Sequence, residues 1–173
     1  MTAPDNKKRV MALDVRSRRF GFAIFEGPNV LLDCGVRGFR TGVEKVLVPP
    51  RQKLATLFDD FNVAAVVWRG PVSGTSRRKS SIGDALQRES RVRRIPLRLV
   101  TRGVVKQVFA GRSGNKYEIA SALAQQFPAL ASKLPSKRKC WQSEDYRMSM
   151  FDAAALGAAY FARLERRRPR DFL

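Results

Sequence analysis

The sequence predicts an α/β fold in which a mixed five-stranded sheet is covered by helices on both faces. Two observations carry that expectation. Three apolar runs separated by short glycine or polar turns open the chain, as in an antiparallel meander, and two further apolar runs then alternate with segments of helical spacing. At 173 residues the chain can bury a three-layer core without disulfides, and neither an internal repeat nor a second domain is visible.

The elements follow in order. Residues 1–8 are polar and expected to be disordered, residues 9–166 to form the single domain, and residues 167–173 a basic tail. Strands are expected at 10–15, 20–26 and 30–37, each followed by glycine or a polar turn. Pro49-Pro50 ends the segment before it and can open a helix, with Leu54, Leu57, Phe58 and Phe61 on one face. Val63 to Trp68 reads as a buried strand. The segment RGPVSGTSRRKSS reads as a mobile basic loop leading into a helix with Ile82, Ala85, Leu86 and Glu89. Ile95 to Val100 is the fifth strand. A short helical piece from Val104 to Phe109, the turn GRSGNK and a helix from Lys116 to Phe127 come next. The basic loop SKLPSKRK then precedes a last helix, Asp145 to Arg166, whose run AAALGAA permits close packing on a sheet.

Charge narrows the partners. Lys and Arg total 34 against 15 Asp and Glu, a formal net charge of +19, and an imbalance of that size calls for a polyanion, here nucleic acid. No stretch approaches the roughly 20 apolar residues needed to cross a bilayer. The start, MTAPDNKKR, has no apolar segment of the signal-peptide kind, so a soluble, cytoplasmic protein with no membrane partner is expected. Cys34 and Cys140 are far apart and the chain has no histidine, which excludes a Cys/His metal site.

One acid stands out within VMALDVRSRRFGFAIF. Asp14 lies at the end of an apolar strand, where a carboxylate is costly unless something cationic holds it. The guanidinium groups of Arg16, Arg18 and Arg19 would make it a structural ion pair. A divalent metal would make it catalytic.

The segment LDVRSRRFGFAIFEG resembles the first motif of the RuvC and YqgF branch of the ribonuclease H-like nucleases. Asp14, Val15, Ser17, Arg18, Arg19, Phe20, Gly21, Phe22 and Ala23 follow that pattern, with Arg16 where the pattern has glycine. VVWRGPVSG, from Val66 to Gly74, is similar to the fourth strand and its turn, while KQVFAGRSGNKYEIASAL and the acid-bearing helix MFDAAALGAAYF are more RuvC-like. The resemblance implies a ribonuclease H-like three-layer fold and a homodimer. It also implies a metal-dependent endonuclease that hydrolyses phosphodiesters in branched DNA, such as a Holliday junction, or in structured RNA. Such enzymes gather carboxylates because two Mg²⁺ or Mn²⁺ ions about 4 Å apart must stabilise the attacking and leaving oxygens together.

On that reading the catalytic metal ligands are Asp14, Asp152 and Asp145, the last lying two helical turns before Asp152. Glu144 and Glu89 are poorer candidates. A plainer reading makes Asp145 and Glu144 helix N-terminal acids favoured by the macrodipole, and Asp152 a buried partner of a local arginine. Where the resemblance implies a glutamate after the fourth strand the chain has Trp68 and Arg69, and a cation there repels metal. That departure supports an alternative: a non-catalytic binding or architectural module in which Arg69 neutralises Asp14. For phosphate binding the candidates are Arg16, Arg18, Arg19, Arg77, Arg78 and Lys79, together with Arg112 and Lys116 of GRSGNK, where helix-start amides would add to the field. GRSGNK lacks the spacing of a Walker loop. Lys137, Arg138 and Lys139 with Trp141 join charge to a stacking surface. An actin-like sugar- or ATP-binding lobe also begins with an acid-bearing strand turn, but the chain is short for the two lobes it needs.

Overall fold

A computed structural model of the chain describes residues 8–38, 50–70, 80–111 and 114–168. The elements are β1 (Arg9–Val15), β2 (Arg19–Gly27), β3 (Val30–Gly38), α1 (Pro50–Phe61), β4 (Val63–Trp68), α2 (Ser80–Val92), β5 (Leu97–Leu99), α3 (Arg102–Phe109), α4 (Lys116–Gln126), α5 (Pro128–Ala131) and α6 (Met148–Arg167). The strands form one sheet in the order β3-β2-β1-β4-β5. β1, β2 and β3 pair antiparallel, as the meander requires, and β4 and β5 run parallel to β1 after helical crossovers. The mixed five-stranded sheet with helices on both faces is therefore present.

Alternation along the strands splits the core in two. Met11, Leu13, Phe20, Phe22, Ile24, Val66 and Trp68 meet Leu54, Leu57 and Phe58 of α1 and Ile82 and Leu86 of α2. Val10, Ala12, Ala23, Phe25 and Val67 face the other way, onto α6 with α3 and α4 around it. Asp14 falls on this second face, two residues beyond Ala12.

Two glycines seat α6. A Cβ at Gly21 would lie 2.1 Å from the carbonyl oxygen of Ser149, and one at Gly157 would lie 2.2 Å from the Phe25 ring. Both distances are impossible for a side chain, so the bare backbone at these positions sets how closely the helix lies on the sheet. Gly21 pairs with Asp14 across β1 and β2, so the same contact brings the first turn of α6 beside that acid.

Three boundaries differ from expectation. α6 starts at Met148, not Asp145, because Met148, Ser149 and Met150 donate to carbonyls three residues back and the segment enters the helix through tight turns. β5 is confined to Leu97–Leu99, since Ile95 N–H donates to Ser90 O in the turn out of α2. The short α5, opened by Pro128 at its first position, had no counterpart in the periodicity. No helix among the described residues is long and apolar enough to cross a membrane.

Candidate nucleic-acid interface at an arginine-held acid pair

The site begins with strand register. Leu13 of β1 pairs in parallel with Trp68 of β4, so the residues that follow, Asp14 and Arg69, emerge side by side at the same rim of the sheet. Beyond β1 the chain turns tightly, Arg16 N–H donating to Arg19 O at 2.9 Å, and this returns the Arg16 side chain over the strand end.

The Asp14 side chain has no solvent-accessible surface, and both its oxygens are occupied. Arg69 Nη2 donates to Oδ1. Arg16 Nε donates to Oδ2 at 2.7 Å, and Ser149 Oγ donates to the same atom at 3.0 Å. Burial acts to raise the Asp14 pKa, but Arg69 and Arg16 together outweigh it and hold the carboxyl below its ordinary value. Asp14 is ionised and neutralised by protein cations.

Arg16 also reaches the second acid, its Nη2 donating to Asp152 Oδ2 at 2.7 Å, so one guanidinium bridges two acids far apart in sequence, Asp14 and Asp152. Lys116 Nζ lies 2.8 Å from the same Asp152 oxygen and donates to Glu144. Glu144 Oε2 returns to Arg16 Nη1 at 3.6 Å, which closes a ring of Arg16, Asp152, Lys116 and Glu144. With Asp14 and Arg69 appended, three acids face three bases. Burial, and then repulsion from Asp14, raise the Asp152 pKa despite Lys116 and Arg16. Lys116 and Arg16 lower that of Glu144 against its burial.

A divalent metal does not fit this donor set. A hard cation needs several carboxylate, carbonyl or water oxygens with no ammonium or guanidinium competing for them. Here the oxygens of Asp14 are taken by two arginines and a hydroxyl, and Asp152 Oδ2 by an arginine and a lysine. Among the described residues no three His, Cys, Asp or Glu gather as a metal centre.

A basic surface adjoins the ring. α4 opens with a capping box, Asn115 accepting from the Glu118 amide while the Glu118 side chain accepts from the Asn115 amide, and this fixes Lys116 in the first turn. Lys139 and Gln142 close a turn through Lys139 N–H to Gln142 Oε1 at 2.9 Å and Gln142 N–H to Lys139 O at 3.0 Å. That turn displays Trp141, 75% exposed, with Lys139 Nζ 5.3 Å from its ring centre. The fields of Arg138 and Lys137 reach Glu144 and Glu118, which places this loop beside the acid ring and the start of α4.

No family model matches the chain, and no curated protein matches it either. Among solved structures, a Thermus thermophilus RuvC in complex with Holliday junction substrate matches with a TM-score of 0.62 and 16% identity, over 91% of this chain and 96% of that one. The fold is RuvC-like. A second Thermus thermophilus RuvC structure gives a TM-score of 0.61 and 17% identity over the same shares.

Within this RuvC-like fold, Asp14 and Asp152 come together as expected, bridged by Arg16, with Lys116 on the far side of Asp152. Asp145 does not join them as a helix ligand. It precedes α6, and its carboxylate accepts from the Arg147 amide at 2.9 Å and from the Arg147 guanidinium at 3.0 and 2.8 Å. Arg147 holds its pKa down by those bonds. Glu89 sits on α2, held by Arg51 and Arg93. Arg18 is exposed at the turn after β1, and Arg19 Nε is buried without a partner among the described residues. Arg77, Arg78, Lys79 and Arg112 lie outside the described residues. The readings from sequence left out of the binding set Arg69, Glu144 and Ser149, all of which touch the network. The position of Ser149, three residues before Asp152 on what became one helix face, was the available signal.

Proposed function

We propose that the protein is a structure-selective nucleic-acid-binding module on a RuvC-like fold, with branched DNA as its first ligand class and structured RNA as its second. Arg16 and Arg69 fill the place a metal would take at Asp14, and that single observation favours binding without hydrolysis. The net charge of +19 and the exposed Lys137, Arg138, Lys139 and Trp141 beside the ring support nucleic acid as the ligand. Branched DNA is placed first because one of the RuvC structures similar to this chain was solved with a Holliday junction substrate.

In this reading the arginines do two things. They neutralise buried acids, which holds the strand ends, the start of α4 and α6 in one arrangement. They also present their remaining N–H groups at the rim, where a phosphate oxygen can accept them. Trp141 supplies a flat face for an unpaired base at a junction or loop.

The convergence of Asp14 and Asp152 favours a second reading, metal-dependent endonuclease activity, which requires both arginines to withdraw. One experiment separates the two. Fluorescence anisotropy with a four-way DNA junction, a matched linear duplex and a structured RNA in EDTA is expected to give tight junction binding, its log affinity falling against log salt by about 0.9 per phosphate neutralised. Incubation with Mg²⁺ or Mn²⁺ is expected to leave every substrate intact. Cleavage abolished by both Asp14→Asn and Asp152→Asn would replace the binding reading with the endonuclease one. Homodimerisation, which the resemblance implies, is read in the same samples by sedimentation.

A further inference from the structure

We infer that the far end of α6 carries a second phosphate-binding site, separate from the acid ring, whose ligand is the nucleic-acid backbone. The choice of ligand rests on the function proposed above. The site is a pocket of about 180 Å³ between the edge strand β5 and the last turns of α6. Arg98 and Leu99 line it from the strand, and Tyr160, Arg163, Leu164 and Arg167 from the helix. On α6 these four recur at the three- and four-residue spacing that places them on one face, so the helix presents two guanidiniums, a phenol and an apolar side chain to the same space.

Charge balance decides what the pocket takes. At the acid ring three acids consume three bases, whereas Arg98, Arg163 and Arg167 form no ion pair among the described residues, and Tyr160 makes no hydrogen bond there. The Tyr160 ring is fixed edge-on against Phe161, with centroids 5.5 Å apart, which positions its hydroxyl. Three guanidiniums around one concavity, with no acid paired to them among the described residues, suit a diester phosphate, whose oxygens match the planar fork of arginine. At roughly 30 Å³ per water the pocket has room for a phosphate group with its hydration. The apolar rim, Leu99 and Leu164, suits the adjoining sugar, since both side chains are exposed.

Position gives the second site its meaning. Arg163 lies eleven residues beyond Asp152 on α6, about 16 Å at 1.5 Å per residue. A single nucleotide cannot touch both ends. A ligand that engages the ring and the pocket is an extended strand or duplex arm, and rigid α6 fixes the separation at which it must offer phosphates.

The test removes the pocket charges and compares an equal removal elsewhere. The triple variant Arg98→Gln/Arg163→Gln/Arg167→Gln is expected to bind a four-way junction about tenfold more weakly and to lower the salt slope by about 1. Arg88→Gln/Arg91→Gln/Arg102→Gln, which changes exposed residues outside the pocket lining by the same charge, is expected to change affinity less than threefold. In the wild-type chain, inorganic pyrophosphate is expected to shift the NMR signals of the Tyr160 ring and the Arg163 and Arg167 Nε–H groups. Equal loss in both triple variants, or no pyrophosphate shift in the pocket, overturns the site and leaves the proposed function standing. Pyrophosphate binding in a chain that binds no nucleic acid does the reverse.

Discussion

Two buried carboxylates in this molecule are each gripped by a pair of arginines, one on either side of the sheet, and their surroundings differ. Glu89 on α2 is held by Arg51 from α1 and Arg93 from the turn just after α2, and Arg93 goes on to Asp59. This clamp joins two helices and ends there. Asp14 is held by Arg16 and Arg69, but Arg16 continues to Asp152 and Glu144, and these to Lys116. The same chemistry serves packing in one place. In the other it assembles two acids, which repel each other, at an open rim bordered by a basic loop. An arginine-held acid is therefore a functional candidate only when a second acid stands beside it without a reason in packing.

Stability should separate the two clamps most strongly. Arg16→Ala leaves Asp14 buried with one arginine fewer and also frees Asp152, so a loss of about 3 kcal/mol is expected, at the low end for a broken buried pair because Arg16 is 30% exposed. Arg51, 62% exposed, is expected to cost about 1 kcal/mol when changed to Ala, since Arg93 still holds Glu89. Urea unfolding of both variants measures the difference, and equal losses would erase it.

Affinity should move next, and upward. Asp14→Asn removes the charge that engages Arg16 and Arg69 and frees them for phosphate, so junction binding is expected to tighten about tenfold with a salt slope steeper by about 1. Glu89→Gln is expected to leave both unchanged. A weaker junction complex for Asp14→Asn in an anisotropy titration would mean that the ring positions the binding surface and does not compete with the ligand.

The pH dependence of stability separates the acids by sign. Asp14 and Glu89 both have native pKa values held below the unfolded ones. Their contribution is present above the unfolded values, near 4, and is lost as pH falls through the lowered native values. Asp152 is raised, so it opposes folding once pH climbs from its unfolded value through its raised native one. Asp152→Asn should therefore flatten the decline of stability on the alkaline side of pH 4, whereas Glu89→Gln should flatten the decline on the acid side. Denaturant midpoints measured from pH 3 to 7 test both.

The smallest effect is the response to metal. Millimolar Mg²⁺ is expected to leave the melting temperature of the wild-type chain where an equal ionic strength of NaCl puts it. Arg69→Glu, which places a carboxylate beside Asp14, is expected to show a small Mg²⁺-dependent rise. A rise in the wild-type chain would show that the arginines yield to a cation.

Much of this was legible in the sequence, for identifiable reasons. The meander, α1 and β4 have apolar patterns long enough to declare their period, and Asp14 announced itself as a charge at the end of an apolar strand. Arg69 as the neutralising partner followed from the resemblance, which implies a glutamate where this chain has Trp68 and Arg69, and the parallel register of Leu13 with Trp68 shows why that position meets Asp14. The ring through Glu144 was illegible, since it needs β1, α4 and the segment before α6 at one point, and locally Glu144 reads as an acid at a helix start. Asp145 misled for a related reason. Its bonds to Arg147 hold the chain in a turn where its spacing from Asp152 suggested a continuous helix.

The backbone-on-backbone seat at Gly21 has one more consequence. Because the first turn of α6 rests there on a contact that involves no ionisable group, the close approach of helix and sheet does not itself depend on the rim charges, and pairs exchanged together, so that no buried charge loses its partner, leave that contact in place. Protein engineers could treat this edge as a socket whose charges are exchanged in matched pairs, provided position 21 stays bare.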